Sequence, residues 1–325
     1  MTATDLTLDD FRNAPDLDTL TARLAARDMT PGWIDREKPI LWPEAKSAYQ
    51  VAHWRWDECK AAMDGAAKLI DTELAERRNL VLRNPIPDNE FATTRTLVNA
   101  YQTILPGETA RSHRHAPHAL RVILESEGAW SVVNGEKHPM NTGDIVLTPG
   151  MYWHGHGHDG EDQAYWMDGL DVPLVHLLEP MTVEDHPDGM EPIERVTPDS
   201  PFRFSWEQIQ RRLETAVADN EGHYGRSIVC DTSETMPTIH VTVMRWDGGF
   251  RTRPYRCTSN QVFCVMQGSG CTSIGGETVE WSFGDTFAAP LWNAIAHEAS
   301  DDTVMFCMSD EALMQWAGYY RFEAL

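Results

Sequence analysis

The first 85 residues differ from the rest of the chain in the spacing of their apolar positions. In DLDTLTARLAARDM, Leu17, Leu20 and Leu24 recur at the spacing of one helical face, and DECKAAMDGAAKLI is a second amphipathic stretch. Two prolines in NLVLRNPIPDNEF then interrupt this periodicity. The pattern predicts an N-terminal region that is mostly helical and irregular.

From about residue 94 the chain changes to short apolar or alternating runs separated by Gly, Asn and Asp. Such runs predict β-strands, and Asn134-Gly135 in VNGE predicts a hairpin, since both residues tolerate the positive φ angles of a type I′ turn. The pattern returns after residue 236. Between the two β-rich stretches, SPFRFSWEQIQRRLETAVADN predicts a helix, with Ser205 as its N-cap and Gln208 completing a capping box.

The two β-rich stretches form an internal repeat. LRVILESEGAWSVVNGEKHPMNTGDIVLTPGMYWH aligns with NQVFCVMQGSGCTSIGGETVEWSFGDTFAAPLWN without a gap until the last residues. A repeated all-β unit predicts a mainly β fold with two similar jelly-roll-like barrels. We therefore divide the chain into an N-terminal region (1–85), a first barrel (86–190), a connecting helical segment (191–235) and a second barrel (236–325).

Charge and composition exclude several classes of function. The 325 residues include 50 acidic and 27 basic side chains, for a net charge of −23. This balance disfavours binding to nucleic acid, which depends on Lys and Arg, and docking on anionic membranes. No run approaches the roughly 18 apolar residues of a membrane span, MTATDLTLDDF lacks a signal-peptide pattern, and the six cysteines form no CxxC pair. We therefore expect a cytoplasmic protein.

Histidines in the first β-rich stretch have the spacing of a metal site. His113 and His115 lie two apart and share one face of a strand, and a hairpin-rich unit can bring His154 back beside them. Three neutral imidazoles make an open site for a divalent first-row metal. The second copy has the same pattern of strands but holds Arg253, Tyr255 and Asn293 at the matching positions. The fold therefore does not require the histidines, and metal binding explains them better.

Two segments resemble the cupin motifs Gly-x5-His-x-His and Gly-x5-Pro-x-Gly-x2-His. GETARSHRH matches the first motif and GDIVLTPGMYWH the second, with Met151 in place of the last Gly. The Glu that cupins commonly carry between the motifs is absent, and Arg121 lies near its place. This departure favours a three-His site over a site with three His and one Glu.

A wider set of segments resembles the gentisate 1,2-dioxygenase family of bicupins, which includes salicylate and 1-hydroxy-2-naphthoate dioxygenases. The segments are AERRNLVLRNP, RSHRHAPHALRVILESEGAW, GDIVLTPGMYWHGHGHDG and YWMDGLDVPLV, joined by GDTFAAPLWNAIAH and MFCMSDEAL in the second copy. The resemblance runs from about residue 40 to the end. It implies Fe(II) in the first barrel, O2 as co-substrate, ring cleavage between the carboxyl- and hydroxyl-bearing carbons of an ortho-hydroxybenzoate, and a homotetramer.

The resemblance also implies roles for individual side chains. His156 becomes a catalytic residue that can receive or return the phenolic proton, whereas His158 is expected in a solvated loop. The remaining residues form the expected pocket, with Asp168 as an acidic catalytic residue and Arg121, Arg77, Arg78 and Gln102 as substrate contacts.

Substrate choice is expected to depend on Val98, because relatives commonly carry Trp there. Losing the indole would enlarge the pocket and admit a nitro- or chloro-substituted salicylate. Alternatively, Ala100 and Tyr101 on the same strand refill the space, and gentisate stays preferred.

Two other functions fit part of the pattern. One is a metal-dependent cupin isomerase or hydrolase that uses Zn or Mn on a polar substrate. The other is a non-catalytic bicupin that binds a small molecule. Only the dioxygenase requires O2, so an anaerobic assay separates the first alternative. The first barrel keeps the three histidines and the second barrel lacks them, which disfavours the non-catalytic binding protein.

Overall fold

The computed structural model describes residues 6–33, 40–70, 78–197 and 200–325. The chain divides into two compact units, Met1–Glu44 and Ala45–Leu325. The first unit contains helices α1 (Leu8–Arg12) and α2 (Leu17–Ala25). Asp16 caps α2 by accepting a hydrogen bond from the backbone N–H of Thr19 at 2.7 Å, which supports the helix predicted here.

The second unit contains every other element. Its first part comprises β1 (Ala52–Trp54), α3 (Trp56–Leu69), β2 (Asn79–Val81), β3 (Val98–Ile104), β4 (Thr109–His115), β5 (Ala119–Glu125), β6 (Ala129–Val133), β7 (Glu136–Pro139), β8 (Ile145–Thr148), β9 (His154–His158), β10 (Ala164–Leu170) and α4 (Val172–Leu178). The remainder comprises β11 (Val183–Asp185), β12 (Arg195–Val196), β13 (Arg203–Phe204), α5 (Trp206–Thr215), β14 (Arg226–Cys230), β15 (His240–Trp246), β16 (Tyr255–Cys257), β17 (Gln261–Gln267), β18 (Ser269–Ile274), β19 (Glu277–Ser282), β20 (Thr286–Ala289), β21 (Ile295–Ala299), β22 (Thr303–Ser309), α6 (Glu311–Trp316) and β23 (Phe322–Ala324).

Each repeat forms two sheets, as the jelly-roll architecture requires. In the first repeat the strand orders are β13-β8-β5-β10-β3-β2 and β11-β4-β9-β6-β7-β12. In the second they are β1-β20-β17-β22-β15-β14 and β19-β18-β21-β16-β23. The predicted mainly β, bicupin fold is therefore confirmed.

The region before residue 86 contributes a strand to each repeat, which the sequence pattern did not predict. β1 pairs with β20 in the second repeat, and β2 pairs with β3 in the first. Each strand is only three residues long, too short to show a period of two.

Local signals in the linking segments are confirmed. Asn134 and Gly135 have φ angles of 50° and 79°, as a type I′ hairpin requires. Ser205 and Gln208 form the predicted capping box at the start of α5. No helix in the described ranges is long and apolar enough to cross a membrane.

Successive side chains of β5 point into two different hydrophobic cores, and the charged side chain of Arg121 points into the first repeat. Leu120 and Val122 belong to a buried cluster that also contains side chains of the second repeat, including Val262. Ile123 belongs to a separate cluster inside the first repeat. Arg121 is on the same face as Ile123, because successive side chains of a strand point to opposite faces. The fold thus places a guanidinium inside the first barrel.

Candidate metal centre and substrate cavity

Pairing between β4 and β9 brings the three predicted ligands together. His113 lies directly opposite His154 in the antiparallel register, after a register shift between Ala110 and His113. The ring centroid of His154 lies 4.4 Å from that of His113 and 4.8 Å from that of His115. One nitrogen from each of the three rings can be chosen so that all lie within 4.8 Å of one another. The spacing suits a single ion.

Backbone carbonyls fix the tautomer of each imidazole. Nδ1 of His113 faces the carbonyl of Arg111 at 3.4 Å, Nδ1 of His115 that of Pro117 at 2.8 Å, and Nδ1 of His154 that of Tyr152 at 3.0 Å. A carbonyl only accepts hydrogen bonds, so each Nδ1 carries the proton and each Nε2 keeps its lone pair. Nε2 of His154 is buried with no hydrogen-bond partner. An orphaned acceptor of this kind is what a metal ligand requires.

Burial keeps the rings of His115 and His154 neutral. It lowers the pKa of His115 to about 4, with a further contribution from the nearby His113. It also lowers the pKa of His154 well below its usual value. Neutral imidazoles with room beside them fit Fe(II) and other divalent first-row metals.

Met151 shapes the turn that delivers His154. It stands where the cupin motif has Gly, and its φ of 64° is left-handed, which explains why the motif prefers Gly there. Its backbone N–H donates to the carbonyl of His115 at 2.7 Å. The turn after β8 is thereby tied to the strand that carries the other two ligands.

The second repeat has different chemistry at the matching positions. Tyr255 is fully buried, and the side-chain amide of Asn293 donates to the carbonyl of Pro290 at 2.9 Å. Within the described ranges, no group of His, Cys, Asp or Glu besides the trio in the first repeat has metal-binding spacing. All six cysteines are unpaired.

A cavity of about 330 Å³ lies beside the three histidines. Its polar lining includes four residues expected in the pocket: His156, Arg121, Asp168 and Gln102. His156 is buried, and its Nδ1 has no hydrogen-bond partner. The cavity therefore presents a cation, a carboxylate, an amide and a free imidazole nitrogen next to the candidate metal site.

Arg121 and Asp168, on the paired strands β5 and β10, form a buried ion pair beside the cavity. Nε of Arg121 lies 3.3 Å from Oδ1 of Asp168, and Nη1 donates to the hydroxyl of Thr148 at 2.6 Å. Burial raises the pKa of Asp168 to about 6, while Arg121 and the indole N–H of Trp166, at 3.1 Å, oppose that shift. One carboxylate cannot satisfy every guanidinium donor, so Arg121 keeps binding capacity for a second anion.

The rest of the cavity lining is mostly apolar. Val98 and Ala100 belong to it, as expected. Tyr101 does not refill the space beside Val98, because it points to the other face of β3, where its hydroxyl donates to the carbonyl of Gly284 at 2.6 Å. Tyr101 is fully buried in the cluster shared by the two repeats. An aromatic wall is therefore not supplied from β3.

Sequence reasoning missed five lining residues: Asn79, Val81, Phe91, Leu170 and Val172. Asn79 and Val81 pair with Gln102 and Ala100 across β2 and β3, so the alternation of β3 would have found them once β2 was recognised. Phe91 comes from the loop before β3, and no periodic signal marks it.

Two further predictions, for Arg78 and His158, differ from the structure, and a third falls outside the described residues. Arg78 does not line the cavity. It is fully buried, and the carboxylate of Glu108 neutralises its charge away from the cavity. Arg77 lies outside the described residues. The expectation of a solvated loop at His158 is wrong, because His158 is buried in β9 and its Nε2 faces the carbonyl of Asp162. The alternating HGHGH run continues the strand through this residue.

Comparison with known proteins agrees with this geometry. Residues 100–172 match the family described as Cupin domain. Gentisate 1,2-dioxygenase 1 of Aquipseudomonas alcaligenes is 33% identical, with 92% of this chain and 94% of that protein covered. The 5-aminosalicylate 1,2-dioxygenase of a Comamonas species is 30% identical, with 96% and 92% covered. The crystal structure of salicylate 1,2-dioxygenase from Pseudoaminobacter salicylatoxidans with gentisate has a TM-score of 0.84 at 26% identity, covering 100% and 97% of the two chains.

Proposed function

The chain belongs to the gentisate 1,2-dioxygenase family of ring-cleaving enzymes, and from that premise we propose that it uses Fe(II) and O2 to cleave a substituted salicylate or gentisate. The bond broken joins the carboxyl-bearing and hydroxyl-bearing ring carbons. The observation that carries the proposal is the cavity that three histidines with metal-binding spacing share with a buried arginine. Family membership disfavours the isomerase, the hydrolase and the non-catalytic binding protein.

His113, His115 and His154 are the residues that would hold Fe(II). When bound, the metal would supply open positions for the substrate's oxygens and for O2, together with a path for electrons between them. The protein's contribution is to fix the three Nε2 atoms through the backbone contacts of their Nδ1 atoms.

Arg121 gives the cavity its preference for an acid. Its guanidinium lines the same cavity as the metal-binding rings, and a charge-assisted hydrogen bond to a carboxylate contributes roughly 1.5–3 kcal/mol. Asp168 partly neutralises the guanidinium and limits the cost of burying it before substrate arrives. Gln102, on β3 of the sheet that carries Arg121, adds an amide to the cavity lining.

His156 is the residue best placed to take the phenolic proton. It lines the cavity, and its buried Nδ1 has no hydrogen-bond partner. A substrate hydroxyl within reach of this nitrogen could transfer its proton as it becomes phenolate, and receive it back later.

The apolar wall supports a substituent on the ring. Val98 and Ala100 supply no aromatic side chain from β3, and Val81, Leu170 and Val172 add aliphatic surface to the lining. We therefore propose nitro- or halo-substituted salicylates as substrates. We also propose a cytoplasmic homotetramer, on the family resemblance and the unpaired cysteines.

Oxygen uptake by the Fe(II)-loaded protein tests this function. The panel contains gentisate, salicylate, 5-nitrosalicylate and 5-chlorosalicylate, with benzoate as a control that lacks the hydroxyl. We expect uptake with at least one ortho-hydroxybenzoate and none with benzoate. Substrate conversion without O2 would contradict a dioxygenase, and no uptake with any hydroxy acid would contradict the proposed substrate class.

A further inference from the structure

The guanidinium of Arg121 makes one ion-pair contact, which lacks hydrogen-bond geometry, and one hydrogen bond. Nε lies 3.3 Å from Oδ1 of Asp168, and Nη1 donates to Oγ1 of Thr148 at 2.6 Å. In the part of the chain that the structure describes, Nη2 has no hydrogen-bond partner. Because Arg121 lines the cavity, Nη2 is the edge available to an anion there.

Thr148 contacts the guanidinium of Arg121 but does not line the cavity. It is the last residue of β8, and it is fully buried. Its side chain shares the inward face of β8 with Val146, which packs inside the first repeat. The hydroxyl therefore reaches the cavity only through the guanidinium.

We propose that Thr148 is a positioning residue that sets the plane of the Arg121 guanidinium so that Nη2 faces the carboxylate of the aromatic acid. The inference rests on the proposed function, which supplies that carboxylate. The contact at Nε lacks hydrogen-bond geometry, and by itself it leaves the planar guanidinium free to pivot. A second contact at Nη1 removes the pivot, because two points on a rigid fork fix its plane.

The two contacts have different consequences for binding. Asp168 neutralises part of the positive charge, whereas the neutral Thr148 hydroxyl orients the group without changing its charge. Loss of the hydroxyl should weaken ground-state and transition-state binding of the carboxylate alike. Such a change raises KM and leaves kcat nearly constant.

Thr148→Val tests the proposal, because it replaces the hydroxyl with a methyl group of similar size. We would measure the Kd of salicylate by anaerobic calorimetry on Fe(II)-loaded protein, with KM and kcat on the best substrate. We expect roughly 10-fold weaker binding, a matching rise in KM and unchanged iron, since a hydrogen bond to a charged group is worth about this factor. Thr148→Ser should return Kd to within about 3-fold of wild type, because it restores the hydroxyl.

Two controls separate positioning from general destabilisation. Thr103→Val makes the same change at another fully buried threonine, whose hydroxyl donates to the carbonyl of Ala164 at 2.8 Å. It should lower stability and leave Kd unchanged. In an Arg121→Gln background, Thr148→Val should cause no further loss of affinity, because the hydroxyl acts only through the arginine.

The outcomes distinguish the inference from the function beneath it. If wild type binds salicylate and Thr148→Val binds it equally well, the positioning role is wrong and the proposed function stands. Additive losses in the Arg121→Gln background would also overturn the role. If wild type binds no ortho-hydroxybenzoate, the proposed function fails and the inference fails with it. Should Thr148→Val fold poorly, Thr148→Ala removes the same hydroxyl without a possible clash.

Discussion

Replacing Val98 with Trp should shift the preference of the cavity away from substituted salicylates and toward smaller rings. Val98 is 6% exposed, lies on β3 opposite Leu170 and lines the cavity of about 330 Å³. An indole at this position would supply a flat wall and take up space now open to a ring substituent. The first effect favours the smaller ring and the second disfavours the substituted ring, so they combine in the ratio of kcat/KM for the two substrates.

The two effects can be estimated separately. Stacking against an unsubstituted ring is worth about 0.5–1.5 kcal/mol beyond area burial, or roughly 2- to 10-fold in kcat/KM. Excluding a group from a closed apolar pocket costs about 1–3 kcal/mol, or roughly 10- to 200-fold. The ratio of kcat/KM for 5-nitrosalicylate to that for gentisate should therefore fall by at least about 20-fold in Val98→Trp.

The assay compares kcat/KM for gentisate, salicylate, 5-nitrosalicylate and 5-chlorosalicylate in wild type and variant. Val98→Leu is the matched control, because it adds bulk without an aromatic face. Thermal stability and iron content are measured in parallel, since overpacking a buried position can cost about 1–3 kcal/mol. A folded, iron-replete Val98→Trp protein with the wild-type ranking of substrates would refute the argument from the apolar wall.

Three further predictions concern metal, carboxylate and pH. Elemental analysis should find about one iron per chain in the wild type and almost none in His113→Ala or His154→Ala. His240→Ala, in the second repeat, should keep the wild-type iron content. Unchanged iron in the first two variants would contradict the metal assignment. Arg121→Ala should lower kcat/KM by about 10- to 100-fold with iron retained, and wild-type kinetics on every accepted acid would refute its role. Burial raises the pKa of Glu191 to about 7. The folded protein therefore holds this proton more tightly than the unfolded chain does. Wild-type stability should fall as pH rises from the pKa of the unfolded chain through 7. Glu191→Gln should therefore be more stable than wild type by up to about 3 kcal/mol in urea unfolding at pH 8, with little difference near pH 4; a pH-independent difference would contradict this.

Sequence reasoning reached the features that depend on local patterns. The period of two in the strands, the type I′ turn at Asn134 and the capping box at Ser205 each follow from interactions within a few residues. His113, His115 and His154 were expected together because a repeated β unit constrains which strands pair, and the structure pairs β4 with β9.

What it missed depends on contacts between distant segments. The three-residue strand β2 is defined by its partner β3 rather than by its own pattern, so Asn79 and Val81 were not expected in the cavity. Arg78 was assigned to the substrate because nothing in the sequence announces its pairing with Glu108, 30 residues away. Thr148 shows the same limit, since its hydroxyl matters only where β5 brings Arg121 beside it.

The most direct test of the account is to supply 18O2 to the Fe(II)-loaded protein with its best ortho-hydroxybenzoate and to analyse the product by mass spectrometry. We predict that one O2 is consumed for each acid and that both labelled atoms enter a single ring-opened product. A product without label, or turnover that continues under anaerobic conditions, would contradict the assignment of this cavity as a ring-cleaving dioxygenase site.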